Sequence, residues 1–138
     1  MDTSFHRELS KNNPYYIPRD RYYELKHFCL QYPIWKKAYE SLTSLSVRPY
    51  DLERIRKSGI SDPTANCAEA KAHFSSLMNM VWDAAEETDK VVGQYILDGV
   101  TKGMSYDTLN ADSPVPCSRA EYYALCRKFF WILSGKRG

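Results

Sequence analysis

The sequence predicts an all-α fold, a helical domain that ends in a helix-turn-helix. Apolar residues recur at three- and four-residue spacings through most of the chain, the period of one helix face. Proline, glycine and short polar residues fall between those segments, where helices should stop and start. No stretch alternates apolar and polar residues as a strand would, and there is no internal repeat or low-complexity tract.

Residues 1–13 are polar and aperiodic, the composition of a flexible arm that orders only on contact. Residues 14–18, bounded by Pro14 and Pro18, read as an extended lead-in. A helix then covers residues 19–31, with Tyr22, Leu25, Phe28 and Cys29 on one face. Tyr32-Pro33 should interrupt it. A second helix covers residues 34–45, turning Trp35, Ala38, Tyr39 and Leu42 inward. A third, after Pro49, uses Leu52 and Ile55 and ends at Gly59, where glycine suits a left-handed cap. Arg48, Arg54, Arg56 and Lys57 cluster there, either as cations at a helix end or as phosphate contacts.

Asp62-Pro63 reads as an N-cap followed by a first-turn proline. The long helix behind it should reach Glu87 and pack through Ala70, Phe74, Leu77, Met78, Val81 and Ala85. Asp89 should begin a further helix through Val92, Tyr95, Ile96 and Leu97 to Gly99. The expected organisation is therefore an arm (residues 1–13), an N-terminal helical subdomain (14–60) and a C-terminal helical domain (61–138). The helix-turn-helix occupies about residues 91–134.

Its first helix is short, residues 106–110, with Ser105 placed to cap it. Pro114 and Pro116 forbid helix in the linker. Its second helix opens with Ser118-x-x-Glu121, the spacing of a capping box. At 100° per residue, Tyr122, Leu125, Cys126, Phe129, Ile132 and Leu133 share a face that can pack. Arg119, Ala120, Tyr123, Ala124, Arg127 and Lys128 fall opposite, a basic and aromatic surface with small residues between. That is the outline of a helix that enters a DNA groove. The bland alternative is a solvated surface helix.

The run from Asp98-Gly99-Val100-Thr101 through Ser105-Tyr106-Asp107-x-Leu109 to Pro116-Cys117-Ser118-Arg119-x-x-Tyr122-Tyr123 and Arg127-Lys128-Phe129-Phe130-x-x-Leu133 resembles a known group. It is similar to the C-terminal part of phage-encoded transcriptional regulators of the RinA and ArpU kind. Those proteins resemble sigma factor region 4, a helix-turn-helix that reads promoter DNA. The resemblance reaches back to about Asp62, and the linker before Ser118 is longer than the turn usual in sigma region 4. It implies a DNA-binding activator of late phage genes that works with RNA polymerase.

Composition narrows the field. The chain has 138 residues, a net charge of +2 and eleven tyrosines. Residues 1–60 carry eleven Lys/Arg against seven Asp/Glu, residues 61–100 carry two against seven, and residues 101–138 carry six against three. Basic ends around an acidic middle suit a polyanionic partner better than the net charge alone does. Cys29, Cys67, Cys117 and Cys126 form no close-spaced pair, and His6, His27 and His73 do not complete one, so neither zinc nor a disulfide framework is expected. The N-terminus has no apolar signal core and no run is long enough to span a membrane, which points to the cytoplasm. Asp83, Glu86, Glu87 and Asp89 mark a helix end without a partnering base, and Gly93, Gly99 and Gly103 make no phosphate loop. The expectation is a non-enzyme without metal or cofactor.

Two functions remain. One is sequence-specific binding of double-stranded DNA. Arg119 and Arg127 would meet guanine or phosphate, and Tyr123 the backbone or a thymine methyl. Ser118 would sit at the head of the helix, with Lys102, Lys128, Lys136 and Arg137 on phosphates. The other is a phage accessory protein that holds a host protein through a tyrosine-rich surface, as an anti-CRISPR holds a defence nuclease.

Overall fold

The computed structural model describes residues 13–44 and 63–138. The arm over residues 1–12, the expected helix around Leu52 and Ile55, the basic cluster from Arg48 to Lys57, and the Asp62 cap lie outside them. The described residues are all-α: α1 (Arg19–Leu30), α2 (Tyr32–Ser44), α3 (Pro63–Thr88), α4 (Gly93–Lys102), α5 (Tyr106–Asp112) and α6 (Arg119–Arg137). Among them no helix is long and apolar enough to cross a membrane.

The ends of these helices follow local chemistry. Tyr32-Pro33 does not open a gap. Gln31 alone separates α1 from α2, and Pro33 sits in the first turn of α2, where a missing amide costs no hydrogen bond. Pro63 opens α3 in the same way. Asp89 does not begin a helix. Its Oδ1 accepts the amides of Val91 and Val92 at 2.9 and 2.8 Å, closing a turn, and α4 starts at Gly93. α4 ends where Gly103 adopts φ 67°, ψ 34° and returns its amide to the Gly99 carbonyl. Ser105 caps α5, which runs to Asp112, two residues past the expected stop. Ser113, ahead of Pro114, then turns extended.

Two compact units result. One combines the described residues up to Tyr32 with Met80–Gly138, and the other consists of the described residues of Pro33–Asn79. The chain therefore divides in the middle of α3, whereas the sequence suggested a boundary near residue 60. In the second unit Cys67 Sγ lies 3.6 Å from the Leu42 carbonyl, and Lys71 Nζ sits 5.5 Å from the centre of the Tyr39 ring. In the first, α1 packs on α4 and α6, and α4 packs on α5.

The core of the first unit gathers Leu25, Phe28 and Cys29 from α1, Val81 and Ala85 from α3, and Ile96 from α4. Leu109 comes from α5, and Tyr122, Cys126, Phe129, Phe130 and Leu133 from α6. Tyr22 meets Phe130 edge to face at 5.2 Å, and Phe129 meets Phe130 at 5.0 Å. Arg21 ties α1 to the end of α6, donating from Nε to Ser134 Oγ and from Nη2 to the Ser134 carbonyl, both at 3.0 Å. Arg137 stacks on Phe28, with its guanidinium carbon 3.9 Å from the ring centre.

α6 departs from its expected two-faced pattern. Leu125 and Ile132 are half-buried, whereas Phe130 and Arg127 are buried. The reason is that α6 meets α1 on one side as well as the other core helices on its apolar stripe, so its covered arc is wider than one stripe. Arg127 was expected on the open face. It is 9 % exposed, and burial lowers the pKa of its guanidinium.

Candidate functional site

The start of α6 is set by Ser118. Its Oγ accepts the Glu121 amide at 3.2 Å and donates to Glu121 Oε1 at 3.0 Å. The serine half of the expected capping box is therefore present, while the glutamate carboxylate accepts from the serine hydroxyl in place of the expected Ser118 amide. Ser118, Arg119, Ala120 and Glu121 are all exposed, so the first turn of α6 stands clear of the core.

The segment ahead of that turn is fixed from several directions. The Tyr106 hydroxyl donates to the Cys117 carbonyl at 2.7 Å, and the Tyr106 amide donates to the Tyr123 hydroxyl at 3.2 Å. Asn110 Oδ1 accepts the amide of Val115, whose side chain is buried. Arg119 Nη1 reaches Asp107 Oδ2 at 3.2 Å. Both ends of that pair are largely exposed, so it orients the guanidinium more than it stabilises the fold. Four contacts from α5 and the linker thus hold a turn with no apolar anchor of its own.

α4 closes on α6 at Gly99. A Cβ there would overlap the Tyr122 hydroxyl and sit 3.2 Å from Leu109 Cδ1. Glycine allows the close approach. The Tyr122 hydroxyl donates to Cys126, and burial pushes the Tyr122 phenol up. Burial also pushes the Cys126 thiol up to about 12, against the opposing effect of the Tyr122 hydrogen bond. All four cysteines are free thiols. Among the described residues no three His, Cys, Asp or Glu side chains come together as metal ligands.

The structure separates the sequence-predicted site residues into two groups. Ser118, Arg119 and Tyr123 lie at the head of α6, and Lys102 closes α4, paired with Asp98 at 3.5 Å. The others make contacts to the rest of the fold, Lys136 and Arg137 at its surface. Arg127 is buried. Lys128 Nζ donates to the Thr88 carbonyl at 3.3 Å. Lys136 pairs with Glu87, and Arg137 packs on Phe28 and reaches Glu24 at 3.4 Å. The cations in the second half of α6 therefore bind the fold together.

A residue that sequence reasoning passed over joins the first group. Lys26 of α1 lines a groove of about 560 Å³ together with Arg119, Tyr122 and Tyr123. Its position at i+4 from Tyr22 marks it only as the flank of the α1 apolar face, and nothing in the sequence brings α1 beside α6. No family model, curated protein or solved structure matches the chain.

Proposed function

We propose that the protein binds double-stranded DNA through a helix-turn-helix formed by α5 and α6, with the head of α6 as the reading element. The supporting observation is the first turn of α6. It is capped and exposed, carries Arg119 and lies beside an alanine at 120, while Tyr122, Cys126, Phe129, Phe130 and Leu133 further along anchor the helix in the core. Base-reading side chains in helix-turn-helix proteins come from that end of the second helix, and a small residue there admits the groove wall. Arg119 would read a guanine edge, Tyr123 would meet the backbone, and Lys102 would neutralise a phosphate. The resemblance to phage regulators of the RinA and ArpU kind supports a role in transcription, as an activator that works with RNA polymerase.

The test is binding to a site enriched from a random-sequence duplex library, at two salt concentrations. Arg119→Ala should weaken the selected site by about 1–3 kcal/mol and change binding to bulk DNA far less. Lys128→Ala and Lys136→Ala, whose cations are engaged with α3, should leave the salt slope unchanged. If wild type enriches no sequence, DNA reading is lost.

Exposed tryptophan favours a second reading. Trp131 on α6 is 46 % exposed and meets Tyr15 edge to face at 5.5 Å. Large aromatic side chains of this kind anchor protein interfaces. A host-protein partner bound there would show weak salt dependence, in contrast to phosphate neutralisation.

A further inference from the structure

Arg119, Tyr123, Cys126 and Phe130 stand at i, i+4, i+7 and i+11 on α6, one continuous side of the helix. Further along the same side, Ser134 and Arg137 are covered by α1. Towards the head of α6 that cover ends. The gap left between α1, α4 and α6 is a groove of about 560 Å³. Pockets for small molecules fall in the range of about 300–1,000 Å³ and combine apolar walls with a few convergent polar groups. This groove has both. Its walls include Tyr22, Tyr122, Tyr123, Phe130, Leu30 and Met104. Among the described residues its charged groups are Lys26 and Arg119, and no acidic side chain lines it. Arg119 is shared with Asp107, which lies outside the lining. Lys26 is half-buried, and among the described residues it has no hydrogen bond or ion pair.

We propose that this groove binds a small organic anion with a flat aromatic body. The sign follows from the charges: Lys26 together with Arg119, set against the single Asp107 carboxylate that Arg119 meets outside the lining, leaves a net positive groove that favours an anion. The flat body follows from Tyr123, the half-exposed ring of the lining, which offers a planar group a surface to stack on, with the buried rings of Tyr22, Tyr122 and Phe130 behind it. Such a ligand would engage Arg119 and Tyr123, the same residues that the DNA-reading hypothesis uses. Resting on that reading, ligand and specific DNA site compete, and a bound anion releases the protein from its site.

The test uses 8-anilinonaphthalene-1-sulfonate as the probe and N-phenyl-1-naphthylamine as its uncharged counterpart. Fluorescence titration of the full chain, without DNA, should show saturable binding of one sulfonate probe. Lys26→Glu should weaken that probe about tenfold or more and leave the uncharged one within about twofold, because only the charge term changes. Lys36→Glu, an exposed change on α2, should have no effect on either. Circular dichroism and a melting curve establish that the variants are folded. A sulfonate probe that binds wild type and Lys26→Glu alike overturns the anion site, whatever DNA does. So does an absence of saturable binding. For the coupling, the probe is titrated into wild type held on its selected duplex. Displacement at the concentrations that fill the groove supports competition. Retention of the duplex on a probe-filled protein overturns competition and leaves the DNA reading intact. Failure of wild type to select any duplex overturns the DNA reading alone, since the probe measurements stand without it.

Discussion

Cys126 joins burial to a measurable pH response. Its thiol ionises near pH 9 in an unfolded chain and is pushed up to about 12 in the fold. Below pH 9 both states hold the proton and the thiol contributes no slope. Between about pH 9 and 12 the unfolded chain loses the proton while the folded chain keeps it, so stability falls as pH rises. One such proton is worth about 1.4 kcal/mol per pH unit. Cys29 is displaced in the same direction by burial, so Cys126→Ala should reduce the alkaline slope and not abolish it. Urea midpoints at pH 7, 9 and 10.5 test this. Equal slopes for wild type and variant would show that the thiol is not held neutral. The same scale shows what single residues reveal in a sequence. Ser118, with Glu121 three places on, announces its cap because the chemistry is local. Arg127 announces nothing of its burial, because the helix that widens the covered arc of α6 lies about a hundred residues earlier in the chain.

At the scale of elements, α4 and α6 approach so closely at Gly99 that no Cβ fits between them. Helix propensity alone would make Gly99→Ala favourable by about 1 kcal/mol. The overlap with the Tyr122 hydroxyl reverses that sign, since forced overpacking costs about 1–3 kcal/mol. Tyr122→Phe removes the obstructing oxygen together with its hydrogen bond to Cys126, at a cost of about 0.5–1.5 kcal/mol. The double variant should therefore be more stable than the sum of the two single changes predicts, by about 1 kcal/mol or more. Additive denaturation energies would mean that α4 does not seat on Tyr122. Helix positions were readable from sequence because periodicity and caps are short-range: α1, α3, α5 and α6 all begin at or within a residue of where their signals stand. Pairings were not. Lys128 and Lys136 look like phosphate contacts on a helical wheel, and become struts to Thr88 and Glu87 only once α3 is beside them. The groove escaped the sequence for the same reason, since Lys26 and Arg119 come to line one groove only once α1 lies beside α6.

At the scale of the whole molecule, the first unit is assembled from both ends of the described chain, with Pro33–Asn79 inserted between its parts. The insertion has a consequence during synthesis. A ribosome delivers Tyr22, Leu25, Phe28 and Cys29 well before Phe130 and Ser134, which pack on α1. Contacts between segments so distant in sequence close late and slow the final step of folding. Until then α1 has only the cover that α4 gives it, and the part of its apolar face that α6 fills is open to chaperones or to other nascent chains. A chain stalled with residues 1–118 outside the exit tunnel should be cut by protease within residues 19–30 faster than a chain whose residue 138 has cleared the tunnel. Equal cutting of the two chains would mean that α6 adds nothing to the cover of α1. Among the described helices α6 follows all the others in the chain, so the exposed turn that carries Arg119 takes its place only as the core closes.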